Sequence, residues 1–127
     1  MTIHKILLVD DEPAFTRVIR NYLQESGRFY VRMENTSTKA LATAREFKPD
    51  LILLDVIMPD MDGGEIAAQL RNDPRLNQTP IIFLTAAVSK EDVTRQGEVI
   101  GGNTFLPKPV DAEELIGAID RKLRAAA

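Results

Sequence analysis

The sequence predicts an α/β fold in which a parallel sheet carries helices on both faces. Strand-like and helix-like segments alternate five times along the chain, as expected for parallel strands joined by right-handed helical crossovers. Three of the strand-like segments are short, uninterrupted apolar runs of the kind that are buried on both faces, namely Ile6–Val9, Leu51–Leu54 and Ile81–Leu84.

Length and composition indicate one compact domain over residues 1–127. The chain has 127 residues, of which 44% are hydrophobic and 28% charged, which is ordinary for a soluble globular protein. No apolar stretch approaches the roughly 20 residues of a membrane span. The start of the chain runs directly into the first strand and leaves no room for a signal peptide, so we expect a cytoplasmic protein.

Cysteine content and charge exclude several functions. Because the chain has no cysteine, disulfides, thiol catalysis and thiolate metal sites are excluded, and any metal must be held mainly by oxygen. That ligand type favours a hard cation such as Mg²⁺. The net charge is −3 and both signs are mixed along the chain, so no basic stripe for direct nucleic-acid binding is expected.

The first half of the chain predicts two helices around an edge strand. Pro13 is suited to the first turn of a helix that Gly27 ends. Residues Phe29–Met33 alternate between apolar and polar, which indicates a strand with one face fully buried. A second helix is predicted over Thr38–Phe47, because Pro49 prevents its continuation.

The second half predicts three further helices and two strands. A third helix is expected over Gly64–Arg71, followed by the apolar fourth strand. A Ser-x-x-Asp pattern resembling a capping box opens a fourth helix that ends near Ile100. A short fifth strand, Thr104–Leu106, precedes a last helix capped by Asp111.

The strand types predict the order of the sheet. The three continuous apolar strands belong in the centre, and the alternating second strand and the short fifth strand belong at the edges. The resulting order, 2-1-3-4-5, is that of the flavodoxin-like (βα)5 three-layer sandwich, whose ligands bind where strands one and three part. Asp10, Asp11 and Asp55 follow or end these two strands and are expected to meet there.

The three aspartates predict a cation site and a nucleophile. Clustered carboxylates repel one another, and a divalent cation compensates that charge. Mg²⁺ prefers six oxygens and keeps several waters, so two carboxylates and a backbone carbonyl, which we assign to Ile57, leave positions for phosphate oxygens. Asp55 is then both a metal ligand and a nucleophile able to form an acyl phosphate.

Two further polar residues are expected at the same rim, Thr85 at the end of the fourth strand and Lys108 on the loop after the fifth. Thr85 can donate its hydroxyl to a phosphoryl oxygen, and Lys108 can reach another as a point charge. Taken singly, each candidate also has an ordinary explanation, as a helix cap, a turn residue, a loop residue or a solvated lysine. Their convergence at one rim favours the functional interpretation.

The chain resembles a response-regulator receiver domain of two-component signalling over essentially its whole length. The motifs that carry the resemblance are Leu7-Leu8-Val9-Asp10-Asp11-Glu12-Pro13, Asp50-Leu51-Ile52-Leu53-Leu54-Asp55-Val56-Ile57-Met58-Pro59-Asp60-Met61-Asp62-Gly63, Leu84-Thr85-Ala86 and Phe105-Leu106-Pro107-Lys108-Pro109. The resemblance implies that Asp55 accepts a phosphoryl group from a sensor histidine kinase or a histidine phosphotransfer protein. It also implies that Asp10 and Asp11 bind Mg²⁺, with Mn²⁺ as the alternative ion.

The same resemblance implies a switch. Thr85, Ala86 and Lys108 would contact the phosphoryl group, Phe105 would be the switch aromatic, and the bond before Pro109 would be cis. The face formed by the predicted fourth helix, fifth strand and last helix would signal to a downstream effector or an attached output domain. The domain would phosphorylate and dephosphorylate itself without turning over an external substrate.

Two positions in this family flank the path of the water that hydrolyses the acyl phosphate, and here they are Ile57 and Ala87. Neither side chain can orient or activate that water, so a long phosphoryl lifetime is expected. The chain also departs from the family at residues 101–104, where Gly-Gly-Asn-Thr replaces the more usual Gly-Ala.

Three other functions fit the sequence less well than a receiver does. A haloacid-dehalogenase-type phosphatase needs a second acid two residues after its nucleophile, where this chain has Ile57. A nucleotide carrier needs a phosphate-cradling first loop, but Asp10-Asp11-Glu12-Pro13 would repel phosphate. A degenerate receiver acting as a scaffold should lack Asp55, Lys108 or an acidic partner, and all are present.

Overall fold

The computed structural model of the protein describes residues 2–86, 98–100 and 103–126. Its strands are β1 (His4–Val9), β2 (Phe29–Glu34), β3 (Leu51–Asp55), β4 (Ile81–Thr85), β5 (Glu98–Ile100) and β6 (Asn103–Pro107). Its helices are α1 (Pro13–Glu25), α2 (Ala40–Phe47), α3 (Gly63–Arg71) and α4 (Ala112–Ala126), and a 3₁₀ turn at Ser37–Lys39 precedes α2.

The described strands form one sheet in the order β2-β1-β3-β4-β6-β5. The first five strands of that order are parallel, which confirms the predicted order 2-1-3-4-5, with β6 as the fifth parallel strand. Strand β2 lies at the edge as predicted, with Phe29 and Val31 buried and Tyr30 exposed between them.

The sixth strand corrects the sequence-based prediction. Residues Glu98–Ile100 form β5, which pairs antiparallel with β6, so the predicted end of the fourth helix at Ile100 is wrong. The fifth parallel strand is also not an edge, because β5 covers it. Ile100 pairs with Asn103, and the two intervening residues are both glycine, a hairpin signal that the helical interpretation overlooked. Residues 89–97 of the predicted helix lie outside the described residues.

Capping side chains and a left-handed residue set the ends of three helices. Helix α3 begins one residue earlier than predicted, because the Asp62 side chain accepts a hydrogen bond from the Glu65 N–H at 2.9 Å and caps the helix. Asp111 caps α4 as predicted, accepting from Glu113 and Glu114. Helix α2 ends at Phe47, and the residue that caps it, Lys48, has a left-handed φ of 54°.

Two hydrophobic cores hold the helices to the sheet. On one face, α1 and α4 cover a core that includes Leu23, Leu53 and Leu115. On the other face, α2 and α3 cover a core that includes Ala44, Leu54 and Ile66. Because the central strands are buried on both faces, their carboxyl ends form a fixed rim between the two helical layers.

No helix in the described part of the chain is both long enough and apolar enough to cross a membrane.

Candidate functional site

The three predicted aspartates meet at the carboxyl ends of neighbouring strands. Asp10 follows β1, Asp55 ends β3, and these strands pair directly. Oxygens of Asp10, Asp11 and Asp55 all lie within 4.8 Å of one another. Asp10 and Asp55 are buried and Asp11 is half-buried, so the cluster opens to solvent on the side of Asp11.

Lys108 joins the cluster from the loop after β6. Its backbone N–H donates to the Thr85 carbonyl at 3.0 Å, which carries the β4–β6 pairing one residue further, and the Lys108–Pro109 peptide bond is cis. Its ammonium Nζ donates to Asp10 Oδ2 at 2.6 Å and lies 3.4 Å from Asp55 Oδ1. Within the described residues, Lys108 is the only cation paired with these carboxylates.

Among the described residues, the positive charge of Lys108 does not neutralise the negative charge of the three aspartates. Burial, followed by repulsion from Asp10, raises the pKa of Asp55 to about 6, although Lys108 and the Ile57 N–H oppose this rise. Burial likewise raises the pKa of Asp10 despite its bond to Lys108. The pKa of Lys108 is also raised, since the attraction of Asp10 and Asp55 outweighs the opposing effect of its burial.

The donor set fits a divalent cation. It consists of carboxylate oxygens, the ligands that Mg²⁺ and Mn²⁺ accept, and its excess negative charge is what such an ion neutralises. Ile57 lies two residues past Asp55, its N–H hydrogen-bonds that carboxylate, and its side chain is exposed. The role of the Ile57 carbonyl as a ligand stays a prediction.

The other predicted site residues lie along β4 and β6. Thr85 is buried at the end of β4, and Ala86 after it is exposed. Phe105 is half-buried and stacks on Phe83 with ring centroids 5.0 Å apart, so its ring already contacts the core that α2 and α3 cover. Ala87 lies outside the described residues.

Two residues without a predicted role support the aspartates. Asn35 donates from Nδ2 to the Asp10 carbonyl at 2.8 Å and to Thr16 Oγ1 at 3.1 Å, which links β2 and α1 to the end of β1. A Cβ on Gly63 would lie 2.5 Å from the Asp55 carbonyl oxygen, so this position accepts only glycine without a backbone shift. The glycine stands in the quoted motif, whereas nothing in the sequence singles out Asn35.

Two residues of the first loop and first helix surround Lys108. Glu12 Oε1 lies 3.7 Å from its Nζ, and the centroid of the Phe15 ring lies 4.5 Å from that nitrogen. The helical spacing of apolar residues after Pro13 predicts only that Phe15 lies on the apolar face of α1. The contact with Lys108 joins segments more than ninety residues apart and therefore has no local signal.

This arrangement defines a parallel α/β domain with an acidic, lysine-containing site at its topological switch point. The sequence matches the response regulator receiver domain family over residues 6–120. The chain belongs to this family, as the motifs predicted.

Individual relatives agree with the family match. The chain is 38% identical over 120 residues to response regulator Rre1 of Synechocystis sp., covering 94% of this chain and 51% of that protein. It is 33% identical over 119 residues to Protein PilH of Pseudomonas aeruginosa, covering 94% of this chain and 97% of that protein. The chemotaxis protein CheY4 of Vibrio cholerae has a similar structure, with a TM-score of 0.80, 31% identity, and coverage of 95% and 99% of the two chains.

The lengths of the relatives differ. The chain spans about half the length of several curated relatives that it matches, including Rre1 and the DNA-binding regulator RpaA of Synechocystis sp.. It spans nearly all of Protein PilH. The likeness therefore concerns the receiver part of the longer regulators.

Proposed function

We propose that the chain is a phosphorylation-dependent signalling switch whose phosphoacceptor is Asp55. The observation that carries this proposal is the meeting of Asp10, Asp11, Asp55 and Lys108 at one rim. Among the described residues, the single positive charge of Lys108 does not neutralise the three carboxylates. A receiver of this kind accepts a phosphoryl group rather than turning over an external phosphoester. Ile57, in place of a second acid, disfavours the dehalogenase-type phosphatase.

The reaction follows from the positions of these groups. An ionised Asp55 oxygen attacks the phosphorus of a phosphohistidine or a small acyl phosphate donor, a new P–O bond forms, and the P–N or P–O bond to the donor breaks. The electron pair of the broken bond leaves with the donor. Asp10 and Asp11, with Asp55, would hold Mg²⁺, which when bound offsets the charge on the transferring phosphoryl group.

Lys108 and Thr85 are suited to the product. Phosphorylation adds negative charge beside a half-buried lysine that already contacts Asp55, so Lys108 would bind a phosphoryl oxygen. Thr85, at the end of the adjacent strand, would donate its hydroxyl, and the small exposed Ala86 would leave the phosphoryl group accessible to a partner. Phe105 would change its packing on Phe83 and alter the surface that includes β6 and α4.

The partners belong to the same proposal. A sensor histidine kinase or a histidine phosphotransfer protein would supply the phosphoryl group, and a downstream effector or an attached output domain would receive the signal. The relatives support an output of this kind, because several of them are named as transcriptional or DNA-binding regulators and are about twice as long as this chain.

The test is covalent phosphorylation measured by intact mass. Wild type incubated with acetyl phosphate and Mg²⁺ is expected to gain one phosphoryl group, and Asp55→Asn is expected to gain none. Asp73→Asn is the matched control, because Asp73 is equally buried but lies away from the rim. Unaltered labelling of Asp55→Asn would refute the assignment of the phosphoacceptor.

A further inference from the structure

The ammonium of Lys108 rests between carboxylates and an aromatic face. Its Nζ lies 2.6 Å from Asp10 Oδ2 on one side and 4.5 Å from the Phe15 ring centroid on another. The Lys108 side chain is 13% exposed, so the contact with the ring is largely shielded from water. A cation over an aromatic face is attracted by the quadrupole of the ring, and this attraction strengthens as water is excluded.

Phe15 is fixed independently of the lysine. It lies in the first turn of α1, where Pro13 presets the backbone, and its side chain packs against the core that α1 and α4 cover. The ring is therefore a fixed wall of the Lys108 site rather than a side chain that follows the ammonium.

The position of Lys108 matters because it occupies oxygens that the proposed cation site needs. Asp10 Oδ2 accepts the shortest hydrogen bond from Lys108, and Asp55 Oδ1 lies 3.4 Å from the same nitrogen. A lysine held in this position competes with a divalent ion for the two buried carboxylates. Any group that stabilises the lysine there weakens metal binding, by at most the same factor.

We propose that Phe15 is a positioning residue for Lys108: its ring holds the ammonium against Asp10 in the metal-free protein and thereby weakens Mg²⁺ binding. The part concerning Mg²⁺ rests on the proposed function, since only that function makes Asp10 and Asp55 metal ligands. Because Phe15 and Lys108 both keep some exposure to solvent, a cation–π contribution in the range found at exposed sites predicts an effect of about two- to fivefold.

A double-mutant cycle between Phe15 and Lys108 tests this. Phe15→Leu removes the ring face and keeps apolar bulk, Phe15→Tyr keeps the face, and Lys108→Met removes the charge while keeping the length of the side chain. In the metal-free protein, Phe15→Leu is expected to raise the unfolding equilibrium constant about two- to fivefold more with Lys108 present than in the Lys108→Met background. Phe15→Tyr should retain this coupling.

The second readout is the Mg²⁺ dissociation constant, followed through the amide shifts of Asp11 and Ile57. Phe15→Leu is expected to lower it about two- to fivefold, and to leave it unchanged in the Lys108→Met background. Phe29→Leu is the matched control, because Phe29 lies in the same core at the far end of the sheet, with Arg28 over its ring at 5.1 Å. That control should alter stability without altering Mg²⁺ affinity.

The outcomes separate this inference from the proposed function. Equal effects of Phe15→Leu in both backgrounds would show that Phe15 only packs, and would overturn the inference even if Mg²⁺ binds normally. If wild type shows no Mg²⁺-dependent shifts, the proposed metal site fails, and the role of Phe15 in positioning Lys108 is decided by the metal-free cycle alone. The absence of coupling in that cycle overturns it.

Discussion

Asp55 and Asp73 are both 3% exposed, yet their surroundings are opposite. Asp73 lies just after α3, where it accepts hydrogen bonds from Arg45 Nε at 2.6 Å and from the Arg75 N–H at 2.8 Å. The bond from Arg45, followed by that from Arg75, lowers the pKa of Asp73. Asp55 shares one lysine with Asp10, and burial raises its pKa to about 6.

The difference fits a stabilising role for Asp73 and, under the proposed function, a reactive role for Asp55. Asp73 connects α2 to the segment before β4, and its donors come from this chain alone. At Asp55 the described part of the chain leaves negative charge that its own groups do not balance. A proton or a bound cation can relieve such a deficit, which agrees with the proposal that Asp55 is the functional aspartate.

The largest expected effect is on stability in the absence of metal. Because the pKa of Asp55 is raised from its ordinary 3.8 to about 6, its ionised form costs the folded state about 3 kcal/mol above pH 7. Asp55→Asn should therefore raise the free energy of unfolding at pH 8 by up to this amount, and Asp73→Asn should lower it. Urea unfolding measures both, and a loss of stability in Asp55→Asn would contradict the comparison.

The pH dependence should differ in sign between the two aspartates. The folded state takes up the Asp55 proton more readily than the unfolded state, so the stability associated with that proton is fully present below about pH 4 and is lost as the pH rises through about 6. The advantage of Asp55→Asn over wild type should therefore vanish near pH 4.

Asp73 behaves in the opposite way, because its folded pKa is lowered. Its contribution is present above the ordinary carboxyl pKa and is lost as the pH falls through the lowered value. Unfolding curves of wild type and both asparagine variants between pH 3 and pH 8 test the two signs. Parallel profiles for the two variants would show that the two environments do not differ in solution.

Metal affinity should distinguish the two sites next. Asp11→Ala removes one of the clustered carboxylates and should weaken Mg²⁺ binding by at least about tenfold, whereas Asp73→Asn should leave it unchanged. Isothermal titration gives the dissociation constants, and intact mass follows the metal-dependent phosphorylation. If Asp11→Ala retains both, the proposed metal site is wrong.

The smallest expected effect concerns the lifetime of the phosphoryl group. The Ile57 side chain is 63% exposed beside Asp55 and offers no group to orient water. Ile57→Asn should shorten the lifetime by about tenfold, since a polar side chain there can position the attacking water. Loss of phosphate from purified protein measures this, with Tyr30→Asn as an exposed control on β2. An unchanged lifetime would show that position 57 does not control water access.

Sequence patterns predicted the parallel sheet and its order because the central strands are continuous apolar runs. Every residue of β3 and β4 is buried, so their composition alone identifies them as central strands. The aspartates and Lys108 were predictable for a related reason, since strand order alone brings strand ends together. Sequence patterns did not predict contacts between residues that are far apart in the sequence. The bonds of Asn35 to Asp10 and of Arg45 to Asp73, and the ring of Phe15 near Lys108, depend on packing between separate segments.

The prediction of a helix up to Ile100, where the structure has strand β5, failed for a local reason. The Ser-x-x-Asp pattern predicted a helix through Val99 and Ile100, although these are two β-branched residues just before a glycine pair. Pairing with β6 then satisfies backbone groups that an exposed edge would have left open.

Gly63 implies an unusual substitution profile for a saturation library. The first carbon of any side chain there would meet the backbone of Asp55 and Val56, at 2.5 Å from an oxygen and 2.9 Å from a Cα. Alanine should therefore be nearly as damaging as tryptophan, because the collision occurs at Cβ, the atom that all non-glycine residues share. At neighbouring Gly64 the nearest atom is an Asp62 side-chain oxygen at 3.3 Å, so tolerance there should fall gradually with side-chain size.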